Sequence, residues 1–257
     1  MKSAFFKIKC LTNLHVGSGD INFNIVDNEV EKDPVTDYPV IHGSGIKGAL
    51  RDVAEKNPGM LLNGKTLSEV FGKPETKDGK GNSGSYDFTC AHFLARPLRV
   101  YGSKDMAYIN VTTIQALNDL ITSAESFEYP LTKTDCISVN FDEYKFVSNV
   151  SGIKIEGEEA KLYDGTDEAF LKSVLGETFA ICESFDDYPL PVAARNRIGE
   201  NKNLWYEEFV PHHSLFWLPV LYPNEQFSID FPKYFQLGGN ASVGCGFVKF
   251  EKLGAEV

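Results

Sequence analysis

The chain has 257 residues, 42% hydrophobic and 24% charged, the balance of a globular protein with enough apolar material for one large core or two small ones. Its formal net charge of −11 argues against a stand-alone, non-specific nucleic-acid binder, which displays a basic surface, and leaves room for a local basic groove. No apolar run reaches membrane-spanning length and the N-terminus alternates, which predicts a cytoplasmic protein with no membrane partner; five scattered cysteines without a CxxC pair predict buried reduced thiols.

Residues 4–11 alternate Phe5, Ile8 and Cys10 with polar residues and predict a first strand, followed by the turn LHVGSG (14–19). Residues 20–37 are polar and predict a loop returning to a short strand over 38–42. There the chain enters PVIHGSGIKGALR (39–51), a strand, a glycine turn and a helix. Lys47 and Arg51 lie four apart on one helix face, Ile46, Leu50 and Val53 mark the buried one, and Asn57-Pro58-Gly59 ends the helix. Glycines 43, 45 and 48 permit close backbone approach at a helix N-terminus with unpaired N–H groups. The stretch therefore reads as an anion cradle with Ser44, Lys47 and Arg51 as contacts.

Residues 43–48 also satisfy GxGxxG, but no regular strand–helix alternation follows. A dinucleotide site is the weaker alternative, and a tight packing turn is another. Ala49-Leu50 stands where a Walker loop needs Lys-Ser/Thr, which removes a P-loop.

Residues 73–84 are rich in charges and turn formers and predict a flexible excursion. TTIQALNDLITSA (112–124) spaces Ile114, Leu117, Leu120 and Ile121 helically, with Thr112 or Thr113 as cap, and residues 167–175 repeat the pattern before Gly176. Strands are expected over 137–141, 145–150, 178–181, 215–222 and 247–251, giving an α+β fold with mostly antiparallel sheet.

VAARNRIGENKNLWYEEF (192–209) reads as a β-hairpin with basic and aromatic arms around a polar tip, a shape that wedges against stacked bases or serves as an ordinary surface hairpin. A second glycine loop, with Gly238, Gly239, Gly244 and Gly246, adds to the case for backbone phosphate contact. Arg96, Arg99, Arg195 and Arg197 join Lys47 and Arg51 as a candidate RNA-binding groove, against acids gathered at 156–159 and 164–168.

Taken together, LHVGSG (14–19), IVD (25–27), YPVIHGSGIKGALR (38–51), LWYEEFVPHHSLF (204–216) and LGGNASVGCGFVKF (237–250) resemble the RAMP superfamily, in particular backbone subunits of type III-B CRISPR (Cmr) RNA-guided effectors. The resemblance implies one RAMP domain over 1–257, with an RRM-like, ferredoxin-like core, insertions at about 60–90 and 125–177, and a thumb β-hairpin at about 191–211. It implies partners: CRISPR guide RNA, target RNA, further copies of the chain along a filament, and other Cmr subunits. It also implies target-RNA cleavage at regular intervals with a divalent metal, Mg²⁺ or Mn²⁺, as cofactor. By matching position, Asp27 is the cleavage and metal residue, and His15, Glu207 and Glu208 belong to the site. A non-catalytic RNA scaffold and a metal-independent endoribonuclease processing precursor guide RNA are the alternatives.

Overall fold

The computed structural model describes residues 1–17, 25–73, 81–197, 203–223 and 226–254, the side chain of Arg197 excepted. In chain order the first half contains β1 (Lys2–Cys10), β2 (Val40–Ile41), α1 (Gly43–Lys56), α2 (Leu67–Phe71), β3 (Gly72–Lys73), β4 (Asn82–Ser83), β5 (Asp87–Phe88), β6 (Ala91–Tyr101), β7 (Tyr108–Thr113) and α3 (Ile114–Ser126). The second contains β8 (Phe146–Ser148), β9 (Lys154–Ile155), β10 (Glu158–Leu162), α4 (Glu168–Leu175), β11 (Phe179–Cys182), β12 (Val192–Arg197), β13 (Asn203–Glu208), β14 (Leu215–Tyr222), β15 (Phe235–Gln236) and β16 (Phe247–Lys252). The fold is mixed α/β with a sheet-dominated core.

The main sheet runs β15-β16-β1-β14-β6-β7-β11-β8-β10-β9, and β9 also pairs with β6, so its second half closes on itself. Most pairings are antiparallel, as expected; β7–β11 and β8–β10 are parallel. β1 lies between β14 and β16 and shows strict alternation. Ala4, Phe6, Ile8 and Cys10 enter one core, with α1, while Phe5 enters the other, beneath α3 and α4.

The helices follow their apolar spacing. α1 buries Ile46, Leu50 and Ala54; Val53, placed on that stripe from sequence, is only partly buried. Thr113 caps α3, its hydroxyl accepting from the Ala116 amide at 3.1 Å, and Gly176 follows α4 at φ +111°.

Two expectations need correction. Residues 137–141 form no strand: the Ile137 backbone is satisfied by the Asn118 side-chain amide, at 2.8 and 3.0 Å, and its side chain joins the helical core. Residues 74–80 of the polar excursion lie outside the described residues; before it Thr66 and Glu69 make a capping box for α2, and Val70, Phe71 and Tyr86 on its two sides are buried. Cys10 and Cys182 are buried, and burial pushes both thiols up to about 12, but Cys136 is exposed. Among the described residues no helix is long and apolar enough to cross a membrane.

Candidate active site

Residues 206–210, the end of β13 and its continuation, form a spine that gathers segments distant in sequence. Leu14 exchanges backbone hydrogen bonds with Val210, at 2.9 and 2.8 Å. Asp27 and Asn28 donate to the Tyr206 carbonyl at 3.0 and 3.1 Å, and Glu208 donates to the Asn28 carbonyl at 2.9 Å. Strand-like pairing thus carries the LHVG and IVD segments onto LWYEEF, and His15, Asp27, Glu207 and Glu208 converge.

Each of the four side chains has a distinct duty. One Asp27 carboxylate oxygen, Oδ2, accepts from the Tyr206 amide at 2.7 Å, which leaves Oδ1 without a partner among the described residues. His15 Nδ1 lies 2.7 Å from the Glu208 carbonyl oxygen. A carbonyl only accepts, so the Nδ1 proton is donated there, and Nε2 has no hydrogen-bond partner among the described residues. Glu208 is buried, accepts from the Val30 amide at 3.0 Å, and lies 4.0 Å from Lys32 Nζ. Glu207 is buried too and takes the Arg195 guanidinium at 3.2 Å. Both glutamate carboxylates are thus engaged within the chain, whereas Asp27 and His15 each have one polar atom held by backbone.

The second glycine loop supports this arrangement, and three of its four singled-out glycines spend their amides inside the chain. The Gly239 amide donates to the His15 carbonyl, the Gly246 amide to Asn13, and the Gly244 amide to Ala241, at 2.8, 2.8 and 3.1 Å. Those N–H groups are committed within the chain. Gly238 (φ +75°) and Gly246 (φ +81°) are steric necessities, because a Cβ would come within 2.2 Å of the His15 carbonyl oxygen and 1.9 Å of the Leu237 oxygen.

The first glycine stretch behaves differently. At Gly43 a Cβ would meet the Phe88 carbonyl oxygen at 2.1 Å, so that glycine serves packing. Around Gly45 and Gly48 there is open space within 4 Å, and the helix begins without a side-chain cap or an acidic residue in its first turn. Ser44 is exposed and Lys47 half-buried beside it. Arg51 is partly committed, to Glu55 at 3.2 Å and to the Gly72 carbonyl at 3.2 Å.

The remaining arginines separate. Arg96 is buried, its guanidinium donating to the Tyr188 and Pro189 carbonyls, and it serves the fold and not an open groove. Arg99 is exposed on β6. Arg195 is tied to Glu207, and the Arg197 side chain and the tip, 198–202, lie outside the described residues. The hairpin arms, β12 and β13, pair antiparallel as a sheet of their own.

Next to Asp27 is an open cleft of about 370 Å³ lined by Asp27, Asn28, Asn203 and Trp205. Sequence reasoning missed Asn28 and Asn203 and noted Trp205 only among the hairpin's aromatic arms; the period-2 alternation of β13, which puts Asn203, Trp205 and Glu207 on one face, was the available signal. Among the described residues no three His, Cys, Asp or Glu side chains come together as a metal-binding group. A divalent ion at Asp27 fits only as magnesium-type coordination, one carboxylate with the remaining oxygens from water and nucleic-acid phosphates.

Comparison with known proteins adds an independent line. The RAMP superfamily model matches residues 7–249. CRISPR system Cmr endoribonuclease Cmr4 of Pyrococcus furiosus is 26% identical, over 97% of this chain and 95% of that protein. CRISPR system CMR subunit Cmr4 of Saccharolobus solfataricus is 24% identical, over 96% of each. The crystal structure of oligomeric Cmr4 from Pyrococcus furiosus superposes with a TM-score of 0.72 at 20% identity, covering 98% of this chain and 99% of that one. A chain of the type III-B Cmr-beta complex bound to cognate target RNA gives 0.76 at 19% identity, covering 98% and 97%. At those identities the superpositions show a shared fold.

Proposed function

This chain belongs to the RAMP superfamily, and from that premise we propose that it is the backbone subunit of a type III-B effector that holds guide RNA and cleaves complementary target RNA at regular intervals. The observation that carries this reading is the convergence of His15 and Asp27 on residues 206–208, each with one polar atom anchored to backbone and the other without a partner among the described residues. Its partners are guide RNA, target RNA, copies of itself and other Cmr subunits. The whole chain acts as one RAMP unit with an RRM-like core, and the β12–β13 hairpin is its thumb.

Cleavage of RNA by its own 2′-hydroxyl needs in-line geometry, a proton acceptor at the hydroxyl, a donor at the leaving 5′-oxygen and relief of charge on the phosphate. Asp27 Oδ1 is placed to accept the hydroxyl proton or to hold magnesium or manganese, which would supply charge neutralisation. His15, its tautomer set by Glu208, offers Nε2 for proton exchange; protonated there, it serves the leaving oxygen. Glu207 and Glu208 hold the two segments in register. The open N-terminus of α1, with Ser44, Lys47 and Arg51, takes guide phosphates.

The test is cleavage of labelled complementary RNA by the assembled, guide-loaded complex, wild type against Asp27→Ala, with Mg²⁺ or Mn²⁺ and with EDTA. A ladder of regularly spaced products lost only in the variant, with target binding intact, is expected. An unchanged ladder would make the chain a scaffold. Cutting that persists in EDTA would move the chemistry to metal-independent acid–base catalysis.

A further inference from the structure

Arg96 is a buried cation without a counter-ion. It is 6% exposed, and among the described residues no carboxylate forms an ion pair with it. Its guanidinium donates to the Tyr188 carbonyl and, at 3.3 Å, to the Pro189 carbonyl, which engages two of the five N–H groups an arginine carries. Nε is buried and has no hydrogen-bond partner among the described residues. Burial pushes the guanidinium below its ordinary pKa, a shift that the fields of Glu156, Cys182 and Glu208 only partly offset. A charge held this way is costly until an anion or further hydrogen bonds compensate it.

The same arginine lines a cavity of about 160 Å³ between the loop at 32–39 and residues 185–190, the segment that leads into β12. The aromatic floor of this cavity is fixed, because the Tyr38, Phe93 and Phe185 rings meet edge to face at 5.4–6.1 Å. Lys32 stands at the mouth, at loose range from Asp37 (3.9 Å) and from Glu208 (4.0 Å). The exposed Asp37 and Asp186 complete the rim. The volume equals that of about five liquid waters and lies below the roughly 300 Å³ at which pockets for larger organic ligands begin. It suits a compact ion and is too small for a nucleotide.

We propose that this cavity binds a free hydrogen phosphate ion. Arg96 from the dry floor and Lys32 from the rim give charge-assisted hydrogen bonds to its unprotonated oxygens, and Asp37 or Asp186 accepts the ion's own P–O–H proton. The rim acids thereby choose among oxyanions, since sulfate has no proton to donate at neutral pH and would meet their charge unrelieved. Two cations and two carboxylates surround the cavity, but they do not cancel: the floor lies in low dielectric, whereas the rim carboxylates are solvated and screened. Bound there, the ion ties the loop that follows Asp27 to the segment that precedes the hairpin. This reading is independent of which residue cleaves RNA.

Titration of the purified protein with sodium phosphate, in a chloride buffer at constant ionic strength and pH 7, tests the proposal by calorimetry and by Tm. One saturable site is expected, with sulfate at least tenfold weaker, and Tm should rise by about 5 °C or more at a hundredfold excess over Kd. Arg96→Met should abolish binding. Lys32→Met, at a side chain that reaches the surface, should weaken it about tenfold or more, the worth of one hydrogen bond to a charged group. If Arg96→Met fails to fold, Lys32→Met carries the test. No saturable binding by either readout, an unchanged affinity in Lys32→Met, or equal affinity for sulfate would overturn the proposal.

Discussion

His15 and Glu208 are joined through the backbone and not through charge: His15 Nδ1 sits 2.7 Å from the Glu208 carbonyl oxygen, while the Glu208 carboxylate accepts from Val30 at 3.0 Å. One residue thereby fixes a histidine tautomer with its main chain and the Asp27-bearing segment with its side chain.

This relationship sets the first prediction. With Nε2 the atom left for substrate, His15→Ala in the assembled complex should slow single-turnover target cleavage by roughly 10²–10⁴, the range of a lost general acid or base. Target affinity should stay within a few-fold of wild type, as measured by gel shift or by filter binding. A variant that cuts at the wild-type rate would remove His15 from the chemistry.

The Glu208 carboxylate gives the second. In Glu208→Ala the buried Val30 amide loses its acceptor, at a cost of about 1–3 kcal/mol, and a drop of several degrees in Tm should follow for a chain of this length. Glu208→Gln keeps an acceptor oxygen and gives up only the 4.0 Å approach of Lys32, so it should cost less than about 1 kcal/mol. Equal losses for the two variants would assign the effect to charge.

The two glycine loops should respond in opposite ways. Gly246→Ala must place a Cβ 1.9 Å from the Leu237 oxygen at φ +81° and should destabilise the fold strongly. Gly45→Ala meets open space inside a helix and should raise the stability of the free chain by up to about 0.5–1 kcal/mol. If a guide phosphate approaches that backbone closely, the same Gly45→Ala should weaken guide loading. Unchanged loading would show that phosphate contact at α1 is made by side chains alone.

Acid sensitivity should come in part from His92, whose pKa burial against the sheet pushes below 6.5 despite the opposing pull of Asp33 and Asp119. A histidine with a lower pKa folded than unfolded binds more protons when unfolded. Its contribution is thus intact above about pH 6.5 and is lost as the pH falls through that value toward the folded pKa. His213, lowered by burial and by His212, carries the same sign. Between about pH 7 and 5.5 the Tm should fall, and His92→Gln should flatten that slope; an unchanged slope would place the titrating group elsewhere.

Much of this protein is legible locally. The α1 and α3 stripes, the Thr113 cap, the Gly176 stop and the strands of 215–222 and 247–251 follow from spacing and capping chemistry, which act within a few residues. The family motifs likewise mark the segments that the fold brings together at residues 206–210. Other features needed long-range partners. The long β6 strand carries Pro97 in its interior and is sustained by pairing with β14 and β7, and residues 137–141 lose their strand because the Asn118 amide, 19 residues away, satisfies the Ile137 backbone. Arg96 and Arg99 look alike in sequence, yet one is buried against the Tyr188 and Pro189 carbonyls and the other exposed.

The sequence by itself determined which motif segments to compare, because residue type and motif spacing are local properties. Only the tertiary structure decided their contacts: that Glu207 holds Arg195 and Glu208 the Val30 amide, that Gly238 and Gly239 lie against His15, and that Trp205 lines the cleft beside Asp27. The physical reason is that hydrogen bonds between residues far apart in the chain, 224 positions for Gly239 and His15, set which atoms are already satisfied and which remain for a ligand.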